Sequence, residues 1–188
     1  MNDDSIRAFL ALEIPDSIRS HLASEREELR HALPRARWTR PEGWHLTLKF
    51  LGETQRALLT DLAAELSPRV GSLGAVTVDF GRTGFFPSST RPRVAWIGGS
   101  AEGVERIVEA VEEAAEAVGF PRERRQWSTH LTMARLKSQW SKEAVNRFLE
   151  WGDQLELDAF TCREVVLFES DLQPSGAVYT ALERFSIE

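Results

Sequence analysis

Trp44-His45-Leu46-Thr47-Leu48-Lys49-Phe50 sets an imidazole and a hydroxyl two residues apart inside an otherwise apolar run. Eighty-five positions later Ser128-Thr129-His130-Leu131-Thr132-Met133-Ala134-Arg135 repeats the unit His-Leu-Thr-apolar, in a chain with four histidines. Alternate side chains of a β-strand point to opposite faces. An ideal strand therefore carries His45, Thr47 and Lys49 on a polar face and Leu46, Leu48 and Phe50 on a core face. The second copy sets His130 and Thr132 against Leu131 and Met133. On that parity Arg135 falls with Met133, so it joins the polar face only through a bulge, a twist or reach from the strand end. One such histidine is ordinarily a core-edge residue with its ring nitrogens satisfied. Two of them, each with a hydroxyl, suggest a paired acid–base site.

The surroundings are basic in an acidic protein. Arg35, Arg37, Arg40 and Lys49 against Glu42 flank the first unit, and Arg122, Arg124, Arg125, Arg135 and Lys137 against Glu123 flank the second. A net charge of −6 argues against a protein that coats long nucleic acid and leaves a small or terminal phosphate as a suitable partner. With 188 residues, 42% of them hydrophobic, the chain can bury a sizeable core, and residues 1–188 are expected to form one bilobal domain. The lone Cys162 rules out an internal disulfide and a cysteine-based zinc site and reads as a small strand residue. The N-terminus shows neither a secretory signal nor a membrane span, so a cytoplasmic protein is expected.

Outward from the two units, Ile6–Glu13 reads as a central strand. Residues 16–33 read as an amphipathic helix ended by Pro34, with Ile18, Leu22, Leu29 and Leu33 as its stripe and His21 and His31 on its solvated side. Ala36-Arg37-Trp38 is a short strand, and Pro41-Glu42-Gly43 turns the chain into the first His-Leu-Thr strand, which Gly52-Glu53-Thr54 should stop. A helix is expected over 55–66, with Pro68 and Gly71–Gly74 as the following loop. Strands are expected at 75–80 and from Thr83, then at 93–97 closed by Gly98-Gly99, with Ser100 capping a helix over 101–118 that Gly119 ends. After the second unit come a helix at 141–150, strands near 155–160 and 162–169, a hairpin at 171–176 and a last strand at 177–185. This is an α+β pattern with mostly antiparallel pairing, and the offset between the units suggests two similar lobes.

Cleaving a phosphodiester requires a base for the attacking oxygen, an acid for the leaving oxygen and donors for the phosphoryl charge. Two histidines and two threonines supply these without metal or cofactor, with nearby Arg or Lys adding charge stabilisation. No G-x-S-x-G elbow, Walker loop or H-E-x-x-H stands in the chain, and no Asp, Glu or Cys cluster at ligand spacing accompanies the two units.

The two H-x-T-x units resemble the defining motifs of the 2H phosphoesterase superfamily. The text around them, Arg7–Leu12, Arg37–Glu42 leading into HLTLKFLGE, Phe86-Pro87 with Arg91–Val94, Val166–Phe168 and Tyr179, is similar to the RNA 2′,3′-cyclic phosphodiesterases, also called the 2′-5′ RNA ligase family. The resemblance implies a bilobal fold of two facing sheets with outer helices and a central cleft. It implies metal-free hydrolysis of an RNA 2′,3′-cyclic phosphate end to a 2′-phosphomonoester, with His45 as proton donor, His130 as proton acceptor and Thr47 and Thr132 on the phosphate oxygens. Sequence physics alone leaves the two histidines interchangeable. Arg135, Arg125, Arg91 and Arg93 are candidate substrate contacts. Phe9, Trp38, Phe86 and Trp127 are candidate stacking residues, whereas Trp44 belongs to the core by parity. Thr129 stands where relatives often have proline. A monomer is expected. Reversible 2′-5′ RNA ligation, hydrolysis of a small cyclic nucleotide and a non-catalytic RNA-end-binding module are the competing readings.

Overall fold

The computed structural model describes residues 4–33, 36–174 and 176–188; Pro34, Arg35 and Ser175, named above, lie outside the described residues. The chain runs β1 (Ser5–Glu13), α1 (Asp16–Ala32), β2 (Ala36–Trp38), a 3-10 turn (Pro41–Gly43), β3 (His45–Gln55), α2 (Arg56–Val70) and β4 (Val76–Phe86). It continues with β5 (Val94–Glu102), α3 (Val104–Ala117), β6 (His130–Leu136), α4 (Lys142–Gln154), β7 (Phe160–Cys162), β8 (Glu164–Gln173) and β9 (Gly176–Ser186). Two antiparallel sheets result, in the orders β3-β1-β8-β9 and β2-β6-β5-β4-β7. Each sheet holds one of the His-Leu-Thr strands.

The helices cover the outer faces in pairs. α2 and α3 pack together on the first sheet, and α4 lies on β4 of the second. The Trp151 indole of α4 donates to Glu25 O of α1, which joins those two helices. The stripe read for α1 is buried at Ile18, Leu22 and Leu29, each such side chain contributing about 1.5–3 kcal/mol by leaving water. Arg26 shares that stripe: its guanidinium sits 5.1 Å from the Trp44 ring and donates to Thr39 O.

Several boundaries differ from the sequence reading, mostly at glycines. β3 does not stop at Gly52 but bulges there, with Gly52 at φ 74°, and continues to Gln55. Residues 76–86 form one strand with an irregularity between Phe80 and Arg82, not two segments. β5 runs straight through Gly98 and Gly99, and α3 starts only after Gly103, not after Ser100. The reason is close backbone approach: a Cβ on Gly98 would stand 2.2 Å from Thr129 O, and one on Gly99 only 1.9 Å from Asp79 O. α2 passes through Pro68 to Val70, whose buried side chain anchors the last turn. α4 extends to Gln154, so residues 155–159 are not a strand, and β8 reaches Gln173.

Candidate active site

The side-chain alternation of both motif strands breaks at the same point. In β3, Ala11 pairs with Thr47 and Leu10 with Lys49, leaving Leu48 as an extra residue. In β6, Trp96 pairs with Thr132 and Ala95 with Ala134, leaving Met133 as the extra one. A bulge of one residue moves everything after it to the opposite face. Lys49 therefore leaves the polar face expected for it and is buried at 6% exposure. Its ammonium donates to Glu112 Oε2 at 2.6 Å and to Pro121 O. Phe50, expected in the core, is 60% exposed at the cleft. Arg135 makes the same move and joins His130 and Thr132. The fifth residue after each histidine is thus delivered to the site, Phe50 from one sheet and Arg135 from the other.

His45, Thr47, His130, Thr132 and Arg135 line one pocket of about 220 Å³ with Phe50, Phe86 and Tyr179 among its walls. The two imidazoles are held alike. His45 Nδ1 lies 2.8 Å from Gly43 O, and His130 Nδ1 lies 2.9 Å from Ser128 O. A carbonyl only accepts, so each Nδ1 carries the proton and donates it, and each Nε2 is left for chemistry. The His45 Nε2 accepts from the Thr47 hydroxyl at 3.1 Å.

The environments differ. His45 lies against Phe9, with ring centroids 4.6 Å apart, and edge-on to Tyr179 at 5.0 Å. Phe9, Ala11, Val166 and Phe168 form a small buried cluster beneath it, so β1 and β8 give the imidazole an apolar floor. That burial lowers the His45 pKa from 6.5 to about 4; the hydrogen bond to Gly43 O opposes the shift, while His130 and Arg135 add to it. His130 faces the edge of a single ring, Phe86, at 5.2 Å. Burial also raises the Tyr179 phenol, with Arg135 and Arg7 pulling the other way.

The segments preceding the motif strands cross to the opposite sheet. The Thr39 hydroxyl lies 2.7 Å from Thr132 O and 2.9 Å from Met133 O, the two carbonyls at the β6 bulge, and receives the Trp44 indole N–H. The Trp127 indole donates to Thr47 O at the β3 bulge. Buried Trp44, on the core side as its parity required, and Thr39 thus link the entry of one motif to the bulge of the other.

Of the other candidate contacts, Arg125 lines a cavity of about 1110 Å³ that shares Thr47, Phe50, Phe86 and His130 with the pocket between the two histidines. Arg91 and Arg93 are exposed on the turn between β4 and β5 and line neither. Among the stacking candidates, Phe9 is only 1% exposed beneath His45, whereas Phe86 is open to solvent at the mouth. Strict alternation hides the exposed position of Phe50 on the pocket wall. The shared offset of five residues from each histidine was the available signal. His21 and His31 lie on the exposed side of α1 beside Glu25 and Glu27.

The model for LigT-like phosphoesterases matches residues 12–96 and again 98–179, one His-Leu-Thr strand in each match. The chain belongs to this family. Among its relatives, the RNA 2′,3′-cyclic phosphodiesterase of Thermus thermophilus is 34% identical over 192 residues, covering 97% of this chain and 90% of that protein. The RNA 2′,3′-cyclic phosphodiesterase of Methanocaldococcus jannaschii is 28% identical over 181 residues, covering 96% and 100%. The crystal structure of TT0787 of Thermus thermophilus superposes with a TM-score of 0.80 at 26% identity over 97% of this chain and 98% of that one. Escherichia coli LigT complexed with 3′-AMP shares the fold, with a TM-score of 0.76 at 21% identity over 97% and 98%. Membership in the LigT-like family fits the doubled motif: each matched segment carries one motif strand, while each sheet combines strands from both. No helix among the described residues is long and apolar enough to cross a membrane.

Proposed function

We propose that this LigT-like phosphoesterase hydrolyses RNA 2′,3′-cyclic phosphate ends to 2′-phosphomonoesters by acid–base catalysis between His45 and His130, without a metal. The observation that carries this reading is the matched pair of imidazoles. Each has Nδ1 committed to a carbonyl two residues back, and both line one pocket with two threonine hydroxyls and a guanidinium. The relatives named for this activity support the substrate class.

In the proposed reaction His130 Nε2 accepts a proton from water as the water oxygen bonds to phosphorus. The bond from phosphorus to O3′ breaks, and O3′ takes the proton from His45 Nε2, leaving a 3′-hydroxyl and a 2′-phosphate. Thr47, Thr132 and Arg135 stabilise the non-bridging oxygens, worth a few kcal/mol each when donors are preorganised. With its pKa near 4, His45 is neutral in the free site at pH 7. The proton it donates is therefore taken up with the substrate, whose phosphate anion favours the imidazolium. The Thr47 hydroxyl then turns from His45 Nε2 to the phosphate.

Phosphorus NMR of the protein in EDTA with an oligoribonucleotide ending in a 2′,3′-cyclic phosphate tests the proposal. Conversion to the 2′-phosphate by wild type, and not by His45→Ala or His130→Ala, is expected. A 3′-phosphate product overturns the leaving-group assignment, and saturable binding without turnover overturns the hydrolase reading.

A further inference from the structure

Two hollows adjoin the catalytic pocket, and their charges differ. One, of about 360 Å³, shares Thr39, Gly43, Phe50, Arg135 and Tyr179 with the pocket and adds Arg7, Arg37 and Arg40. No carboxylate lines it among the described residues, so four guanidiniums converge there in a protein of net charge −6. Among the described residues neither Arg7 nor Arg135 has a salt-bridge partner, and both line this hollow with Tyr179, on whose phenol both act electrostatically. Arg37 reaches Pro174 O with one nitrogen, leaving its other donors for a ligand. Trp38 and Tyr179 supply flat apolar surface between the charges.

The second hollow, the 1110 Å³ cavity beside Thr47 and His130, carries Arg122, Arg124 and Arg125 but also Glu109, Glu112 and Glu123. Arg122 is engaged with Glu109 and Glu116, and Lys49 with Glu112. Two of its four cations are thus paired, and Glu123 accepts from the backbone N–H groups of the other two, Arg124 and Arg125.

A 2′,3′-cyclic phosphate ends a strand, so the only covalent continuation from the terminal nucleotide is through its 5′ oxygen. Each further nucleotide brings one phosphate charge, which the hollow without carboxylates suits better than the one that carries them. Resting on the hydrolase reading above, we infer that the Arg7–Arg37–Arg40 groove holds the phosphodiesters upstream of the terminal nucleotide, so that the site is built for oligoribonucleotide ends over cyclic mononucleotides. Tyr179, edge-on to His45 at one end and facing the groove at the other, marks where the strand enters the pocket.

The test compares kcat/KM for a 2′,3′-cyclic mononucleotide and for a tetraribonucleotide with the same terminal base and end group, at low and moderate salt. Wild type is expected to favour the tetranucleotide about tenfold, with the preference shrinking as salt rises, because backbone contacts release counterions. Arg7→Gln and Arg37→Gln should each lower the tetranucleotide-to-mononucleotide ratio about fivefold, as expected for removing one phosphate contact. Both side chains reach solvent, so neither change threatens the fold. Equal kcat/KM for the two substrates in wild type overturns the inference, as does a ratio lowered by Arg125→Gln and not by Arg7→Gln. Should wild type turn over neither substrate, the hydrolase reading fails by itself. The groove is then judged by fluorescence anisotropy of a tetranucleotide with a 2′-phosphate end: weaker binding by Arg7→Gln supports it, and unchanged binding overturns it.

Discussion

Replacing His45 by asparagine should flatten the acid side of the stability profile. In the folded protein the aromatic floor holds the His45 pKa near 4, whereas the unfolded chain protonates the same ring near 6.5. Between those values the unfolded state binds a proton that the folded state does not, so stability is full above pH 6.5 and falls with falling pH. The loss is about 2 kcal/mol by pH 5 and about 3 kcal/mol below pH 4. Asparagine keeps an N–H that can donate to Gly43 O and removes the titration. Urea unfolding of both proteins at pH 8 and pH 5 reads the difference. With an m-value of about 2 kcal/mol/M, the wild-type midpoint should drop about 1 M further than that of the variant. Carboxylates titrate in both proteins and cancel in this comparison. Equal losses in wild type and His45→Asn would refute the reasoning, and an imidazole NMR titration giving His45 a pKa near 6.5 would refute its premise.

Lys49→Met strands Glu112 in the interior beside Glu123 N and should cost about 3–5 kcal/mol in urea unfolding, with Lys49→Met/Glu112→Leu recovering most of it; an unaffected single variant would mean the pair is solvated. Thr39→Val removes the hydroxyl at the β6 bulge and the acceptor of the Trp44 indole. Activity on a 2′,3′-cyclic oligonucleotide should fall about tenfold, with a stability loss of about 1–3 kcal/mol, and unchanged kinetics would show that the bulge holds itself. Gly99→Ala drives a methyl into Asp79 O, a backbone atom, and should lower thermal stability by more than about 3 kcal/mol, whereas the open Gly81→Ala should change it little. Tyr179→Phe keeps the ring over Gly43 and should leave the fold intact by circular dichroism; a collapsed melting transition would show that the hydroxyl, not the ring, holds that wall.

Much of the site was legible in the residues because its two centres are local. An imidazole and a hydroxyl two positions apart on a strand share a face whatever surrounds them, so His45 with Thr47 and His130 with Thr132 followed from the text of each motif. The buried side of Trp44, the stripe of α1 and the small strand role of Cys162 followed from the same periodicity. Tertiary structure alone decided what lies beyond the fourth residue of each unit. Whether Leu48 and Met133 are paired or extruded depends on the neighbouring strands, β1 and β5, and on the hydroxyl and indole that meet the bulges from other segments. That choice exposes Phe50, buries Lys49 and brings Arg135 to the side of His130 and Thr132, three outcomes that strict alternation reverses. The glycines tell the same story. Gly98 and Gly99 look like a strand terminator in one dimension, yet they sit inside β5 because two other backbones pass too close for a Cβ. The difference between the two histidines is likewise tertiary: identical motifs place one imidazole on Phe9, where burial lowers its pKa to about 4, and the other beside Phe86.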